Sequence, residues 1–441
     1  MVMKVQKIIK PKHCFYILSS IFLFVFVCQL ILQKTKYAYQ LFFFDKGDTF
    51  MDFYNIISVM ATGHPYSSAL FIYPPFIGLI MKSFQKMLPG EVLGNIRLVD
   101  PSSINATRQI ALQIRSSQFG MIILFFFLVI GLGAMAYFLS TIKKGSNNEK
   151  WLFILLTVFS APMLFEIERA NTIIYALVFI LGFLAFKDSK NPWLREISLI
   201  FLTCAAGVKV YPALFGLLLI RERRWLDALK TVLYGIIIMF VPFVFFGGFS
   251  IIPKLFATLN AGNGIAFSTG VGFKVDLINV FRMIGLAFHF KDSVVISLAG
   301  KSSYFLILLA IPAILSIRKT WKAVTILCCM IIVTPAFNYY YALIYIIPAV
   351  LLFLDEEKTN KWDYLYAAIF SLMYCPAYFG IVKWFIPLGQ YPESTVNMIQ
   401  NIACVVLYIF FIIEGYFNLY SIVVGKYHMI KHNHLNIELN K

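Results

Sequence analysis

The chain has 441 residues, 60% of them hydrophobic and only 13% charged. A soluble domain carries roughly twice that charged fraction, so composition excludes an ordinary soluble globular protein. An excess of 38 Lys and Arg over 21 Asp and Glu gives a formal charge of +17. The basic residues stand between apolar runs, so the excess reads as membrane topology and contact with anionic lipid rather than nucleic-acid binding. Part of it is open to an anionic substrate.

Apolar runs of about 15–25 residues recur and strand alternation is absent, which predicts an all-α polytopic membrane protein. Lys4, Lys7, Lys10 and Lys12 make residues 1–13 a basic cytoplasmic N-terminus. The run 14–33 reads as an uncleaved first span, with no small-residue cleavage site. Lys143-Lys144, Lys187 to Arg195, Arg221 to Arg224, Arg318 to Lys322 and the tail 425–441 then mark internal turns. Further spans that fit this sidedness are 118–139, 151–165, 172–187, 195–208, 210–220, 228–246, 302–317, 322–335, 339–354, 364–386 and 398–423. The total is about twelve, some short or re-entrant, in one membrane domain over 14–424 with both ends inside.

Segments 195–208 and 210–220 fall short of the roughly 20 residues a crossing needs. They are expected to form a hairpin whose tip, Lys209-Val210-Tyr211-Pro212, walls a cavity, because broken backbone at membrane depth survives only against protein or water. Segment 72–87 is apolar enough to cross, but one full crossing there would invert every later loop. Parity favours an interfacial helix with Lys82 and Lys86 on its polar side. Residues 34–117 thus form one long external loop, against which its own Lys34, Lys36, Arg97, Arg108 and Arg115 count. A second external stretch, 247–300, holds turn-forming glycines in 260–264 and 270–272 and an interfacial helix near 276–290.

The polar residues of such a chain carry most of its chemical information. Asp48 and Asp52 lie in the first external loop, ahead of Gly63-His64-Pro65-Tyr66 and Tyr73-Pro74-Pro75. A carboxylate sunk in a cavity has its basicity tuned by desolvation and can take a proton from an incoming hydroxyl. A helix N-cap or a solvated loop acid explains Asp52 equally well from position alone. Asp48, one helical turn away, shares the ambiguity, and Asp45 is a weaker third. Glu168-Arg169-Ala170-Asn171 stands at a tight turn, either as a capping pair or as the lining of a polar cavity where Arg169 meets phosphate. Lys209 interrupts an apolar run; a cation at membrane depth costs about 2.5–3.5 kcal/mol, so it snorkels or has a partner such as phosphate. Asn338, Tyr339, Tyr340 and Tyr341 follow Thr334-Pro335 at an outer span end, as an aromatic belt or a sugar-binding surface. Glu414 is a buried acid of no evident purpose, and His428, His432 and His434 belong to the cytoplasmic tail. The seven cysteines read as small buried hydrophobes. No Walker loop, dinucleotide fingerprint or serine-nucleophile elbow is present, and no cofactor or metal is expected.

Taken in order, these residues resemble family-87 glycosyltransferases of the GT-C superfamily, a polyprenol-phosphate-mannose-dependent mannosyltransferase-like group. The resemblance runs from Asp52-Phe53-Tyr54, Gly63-His64-Pro65-Tyr66 and Tyr73-Pro74-Pro75 through Glu168-Arg169-Ala170-Asn171. It continues through Gly207-Val208-Lys209-Val210-Tyr211-Pro212 to Arg223-Arg224-Trp225 and Thr334-Pro335, covering about residues 40–350. It implies a GT-C-type helical bundle with interfacial helices in the first external loop. It also implies a donor of mannose, or a related hexose or pentose, on polyprenyl phosphate, and a glycan or glycolipid acceptor. Asp52, or else Asp48, would be the base, with Lys209, Arg169 and Tyr211 at the donor phosphate. Tyr54, His64, Tyr66, Tyr73, Glu168, Asn171, Asn338, Tyr339 and Tyr340 would line the substrate cavity. Relatives often carry glycine at the place of Ala170 and histidine or tryptophan near the tyrosine cluster. A bacterial inner membrane, with the site on the non-cytoplasmic side, is the expected placement. A transporter or flippase of lipid-linked glycans would also explain the spans and buried charges. An envelope oligosaccharide polymerase or ligase shares the substrate type.

Overall fold

A computed structural model describes residues 10–32, 47–68, 71–93, 103–257, 274–335, 338–377, 379 and 395–438. Among them the regular elements are helices, and the one strand-like contact is an isolated antiparallel bridge between Lys274 and Tyr339. The expected turns at 260–264 and 270–272, Asp45, and the side chains of the three tail histidines lie outside the described residues.

Helix α1 spans Pro11–Leu32. The long segment after it supplies α2 (Met51–Ala61), α3 (Pro75–Gln85) and α4 (Ile104–Ser116). A long apolar helix, α5 (Gln118–Ile142), follows. Next come α6 (Asn147–Val158) and α7 (Ala161–Arg169), bent by 56° relative to each other. The bend has a local cause: Pro162 in the first turn of α7 lacks an amide to continue the ladder of α6. Helices α8 (Ile173–Phe186) and α9 (Pro192–Val208) form a packed pair. Beyond Lys209 the backbone tightens into a 3-10 turn (Tyr211–Gly216) before the short α10 (Leu217–Arg221), so the expected break in this hairpin is present. Then follow α11 (Trp225–Phe240), α12 (Leu277–Ala287), α13 (Asp292–Ser316) and α14 (Thr320–Val333). A 3-10 segment (Tyr340–Ile346) leads into α15 (Ile347–Leu354), and α16 (Asp363–Tyr374) and α17 (Thr395–Glu438) complete the chain. Side-chain caps fix several starts: Ser103, Ser117, Ser146 and Asn191 accept the amides of Ala106, Gly120, Glu149 and Trp193.

Among the described residues, five helical stretches are long and apolar enough to cross a membrane: Pro11–Leu32, Gln118–Ile142, Trp225–Phe246, Ser293–Ser316 and Thr395–Val424. The bent α6–α7 pair makes a sixth if it is one span. Of the shorter apolar helices, α14 is buried along almost its whole length. One boundary differs clearly from expectation. Helix α13 starts at Asp292 rather than near 302, because the polar stretch at Lys301 to Ser303 is absorbed into the helix, Ser303 bonding back to the Ala299 carbonyl at 3.1 Å. Lys82 of α3 also has a specific partner: it donates to the Phe245 carbonyl at 3.3 Å, at the end of the third long apolar stretch.

The basic turns read as internal gather at one end of the molecule. Lys12 pairs with Glu149 at 3.1 Å, Lys143 with Asp355, and Lys319 lies 3.9 Å from both Glu356 and Asp363. Arg221 donates to the Ile317 and Arg318 carbonyls, each at 2.9 Å. Helix α5 measures the distance to the other end. At its start the Gly120 carbonyl accepts the Tyr54 hydroxyl of α2, and just past its end Lys143 joins the basic cluster. A helix of 25 residues is about 37 Å long. The acid-bearing loop and the basic cluster therefore lie at opposite ends of the bundle.

Glu414 has a partner. Its two carboxylate oxygens take the Lys322 ammonium at 2.6 and 2.7 Å, joining α17 to α14. Lys322 is ringed by Trp321, Tyr366 and Phe411, with ring centroids 5.4–5.5 Å away. Truncating Lys322 strands the partly exposed Glu414 carboxylate. Lys322→Met is thus expected to destabilise by about 1–3 kcal/mol, and Lys322→Met with Glu414→Gln to recover most of that. Melting curves in detergent check it; a single variant as stable as wild type would refute the account.

Candidate active site

Two left-handed turns build the site. After Asp48 the chain turns at Phe50 (φ 62°) and enters α2, which places Asp52 in the first helical turn. An acid there is favoured by the exposed amides and the positive end of the helix dipole. The second turn ends α7: Arg169 is its last residue, and Ala170 (φ 49°, ψ 48°) reverses the chain so that Asn171 folds back beside it. The Phe50 amide donates to the Glu168 carbonyl at 2.7 Å and ties the two turns together.

Arg169 spans the acids. One guanidinium nitrogen pairs with Asp48 and the other with Asp52, a use of the fork that lysine cannot copy. Asp52 is only 14% exposed, Arg169 13%, and Asp48 28%. The second Asp52 oxygen accepts from the Asn171 amide at 2.7 Å. That same amide group donates to the Tyr73 hydroxyl at 3.2 Å, while the Asn171 oxygen is held by the Ile173 amide at 3.1 Å. Tyr73 in turn carries Lys209, whose ammonium sits 4.3 Å from the ring centroid. Asp52 and Lys209, 157 positions apart by their numbers, are thus connected through one amide and one phenol. Burial pushes the Tyr73 phenol above its usual range, with the Asp52 charge adding to it, so the hydroxyl stays protonated.

A second layer holds this centre. Arg108 reaches the other Asp48 oxygen at 3.3 Å, and Arg115 donates to the Gly47 and Thr49 carbonyls, both at 3.1 Å. These two arginines counted against an external loop; the structure engages both in fixing the acid turn. The Tyr339 ring lies 5.8 Å from the Arg169 guanidinium. Tyr339 is positioned from the segment ahead of α12 by its bridge to Lys274 and by the Val275 amide, which donates to the Asn338 carbonyl at 3.1 Å. Asp276 accepts the amides of Asn279 at 2.7 Å and Asn338 at 3.3 Å. Burial pushes its carboxyl up to about 6, against the pull of those amides and of Lys274 and Arg282.

The family model for glycosyltransferase family 87 matches residues 71–338, more than half of the chain. The chain belongs to glycosyltransferase family 87. No curated protein and no solved structure gives a match. Family and apolar helices together make this a membrane glycosyltransferase. The matched stretch of this family-87 enzyme includes Tyr73, Arg169, Asn171 and Lys209 and begins after the two acids.

Of the residues expected at the family-87 site, Asp48, Asp52, Tyr73, Arg169, Asn171, Lys209 and Tyr339 come together. Tyr211 is exposed at the start of the 3-10 turn, and His64 is exposed ahead of Pro65. Others have their polar groups engaged elsewhere. Tyr54 is fully buried with its hydroxyl on the Gly120 carbonyl at 3.1 Å. Tyr66 packs among Phe71, Phe243 and Phe246 and bonds to the Tyr73 carbonyl at 3.4 Å. Asn338 closes the end of α14 through the Ile331 and Ile332 carbonyls at 3.0 and 2.7 Å. Tyr340 is buried against Gln400. Glu168, by contrast, stays with the site: it is buried, its carbonyl accepts the Phe50 amide that joins the two turns, and its carboxylate faces Arg169, Asp52 and Asp48. Glu166 was not foreseen. It lies one turn before Arg169, fully buried, and electrostatically faces Asp52, Lys209 and Arg169. An acid in an apolar helix, three residues from an arginine, was the available signal.

Ala170 occupies a backbone conformation that suits glycine. A β-carbon in the left-handed region costs about 1–2 kcal/mol, partly offset by the greater chain entropy of glycine. Ala170→Gly should therefore stabilise the enzyme by about 0.5–1 kcal/mol and keep its activity. A lower melting temperature for this variant would contradict the strain.

Proposed function

We propose that the enzyme moves a sugar from polyprenyl phosphate to a hydroxyl of a glycan or glycolipid acceptor at the non-cytoplasmic face of a bacterial inner membrane. The fold then has about twelve crossings, some short or re-entrant, with α3 and α12 lying at the interface and the basic cluster inside. The observation that carries this reading is the linked centre of Asp52, Asn171, Tyr73 and Lys209, with Arg169 clamping the acids.

In this reaction the acceptor oxygen attacks the anomeric carbon and its proton passes to Asp52. The bond from that carbon to phosphate oxygen breaks, and polyprenyl phosphate leaves with the electron pair. Direct displacement inverts the anomeric configuration. A carboxylate accepts at about four lone-pair sites, so the bonds from Arg169 and Asn171 leave Asp52 room for a proton. Lys209 and Arg169 offset charge growing on the departing phosphate. A lipid-facing groove beside Lys209 supports the donor class. It has a volume of about 390 Å³ and runs between α9, the 3-10 turn and α11 along small residues such as Ala206, Ala213, Gly216 and Gly235. Its Val210 adjoins Lys209, which fits an isoprenoid chain leading to a phosphate.

Reconstituted protein supplied with labelled polyprenyl-phosphate mannose and a glycan acceptor should form a new glycosidic product. Movement of the lipid without bond formation would instead support a flippase. Lys209→Met should weaken kcat/KM for the donor by about 10–100-fold, the scale of one charge-assisted phosphate contact. Unchanged kinetics would remove Lys209 from the phosphate site.

A further inference from the structure

Two adjoining hollows at the basic end of the bundle make an amphiphile-shaped site far from the acid loop. The first, of about 320 Å³, is lined by Lys322, Asn360, Trp362, Tyr366, Glu414 and Phe417 among others. The second, of about 660 Å³, is lined by Leu309, Ile412, Ile413, Tyr416, Phe417 and Tyr420. The two share Ile413 and Phe417, so a charged chamber opens directly onto an apolar trough. Ile413, Phe417 and Tyr420 are among the exposed large side chains of α17, as expected of a surface covered by lipid.

The charges at the chamber are arranged with direction. The Lys322 ammonium is enclosed by three rings and bound to Glu414, whereas Glu414 keeps 32% of its side chain accessible. What the chamber presents outward is therefore carboxylate. At the rim, the exposed Lys361 holds its ammonium 5.9 Å from the centroid of the Trp362 ring, which lines the chamber. Lys322 lies three residues beyond Lys319, whose ammonium donates to the Lys358 carbonyl at 2.6 Å within the basic turns. The chamber is thus about one helical turn, roughly 5.4 Å, inside the bundle end. That is headgroup depth, and the interfacial tryptophan agrees with it.

We propose that this pair of hollows binds one aminophospholipid. Its primary ammonium donates to Glu414, its phosphate faces Lys361, and an acyl chain fills the apolar trough. A choline headgroup lacks the N–H donors that Glu414 can use, and an anionic headgroup would meet the carboxylate unfavourably. The bound lipid pins α17 against α13 and α14. This proposal is independent of the donor and acceptor.

The test is native mass spectrometry of the full chain, exchanged from detergent with equal amounts of phosphatidylethanolamine, phosphatidylcholine and phosphatidylglycerol of identical acyl chains. One phosphatidylethanolamine should be retained at least about tenfold over the others, the scale of one charge-assisted hydrogen bond. Ile413→Trp, which fills the junction without touching the ion pair, should abolish that preference. Lys361→Glu, an exposed change that leaves the buried chamber intact, should reduce it several-fold. Equal retention of the three lipids in the wild type would mean ordinary surrounding lipid only and overturn the proposal. So would a preference that survives both substitutions.

Discussion

Asp52→Asn is expected to lower sugar transfer by about 10²–10⁴-fold, the usual contribution of a positioned general base. The same variant should insert and fold, melting a few degrees below wild type. Asparagine preserves the shape and its oxygen can still accept from Arg169, but its amide then faces the Asn171 amide, a donor against a donor. The guanidinium is not stranded, because its other nitrogen remains on Asp48. What disappears is a negatively charged oxygen able to hold the acceptor proton. Asp48→Asn is the informative comparison. Asp48 is bound by Arg169 on one oxygen and by Arg108 on the other, and it lies more openly than Asp52. Its neutralisation should cost less in turnover and act through placement of the turn. If Asp52→Asn kept full turnover while Asp48→Asn lost it, the base would move to Asp48. If both kept it, the displacement mechanism would fail.

How much of this was legible in the sequence depends on the cost of burying each group. Charged residues in an apolar chain are expensive, so Asp52, Arg169 and Lys209 stood out as candidates before any geometry. The breaks at Lys209 and after Arg169 were legible for a related reason, since Pro212 and the polar turn residues interrupt apolar runs too short to cross. The aromatic residues were not. Tyr73, Tyr339, Tyr54, Tyr66 and Tyr340 have the same amphipathic chemistry, and only packing decides which ring meets a cation and which hydroxyl closes a backbone carbonyl. Arg108 and Arg115 were legible as charges, but their meaning was not. A rule that counts basic residues by loop has no access to the carboxylate and carbonyls they bind 60 or more positions away. Helix α13 shows the same limit in the fold. A hydropathy reading begins it after Lys301, whereas Ser303 satisfies its hydroxyl within the helix and lets the segment start at Asp292.

Arg169→Lys carries the other large expected effect, and it isolates geometry from charge. Lysine preserves one positive charge at this position, so a purely Coulombic role would survive. The structure instead uses two guanidinium nitrogens at once, one for each acid, while the planar group faces the Tyr339 ring. A single ammonium has no rigid fork with which to hold Asp48 and Asp52 in fixed relation. The acid it fails to reach becomes a partly buried, underpaired carboxylate, a loss of about 1–3 kcal/mol. Misplacement of a reacting group by about 1 Å can cost about 100-fold in rate. Turnover in Arg169→Lys should therefore fall at least about 100-fold, with a melting temperature lower by several degrees. Adding Asp48→Asn to Arg169→Lys should return much of the lost stability, because the remaining cation then has a single acid to serve. It should return little of the turnover, because a single rotatable ammonium still lacks the rigid fork that orients Asp52. A lysine variant with near-normal turnover would show that Arg169 supplies charge alone, and the clamp would no longer explain how the acid loop is held for catalysis.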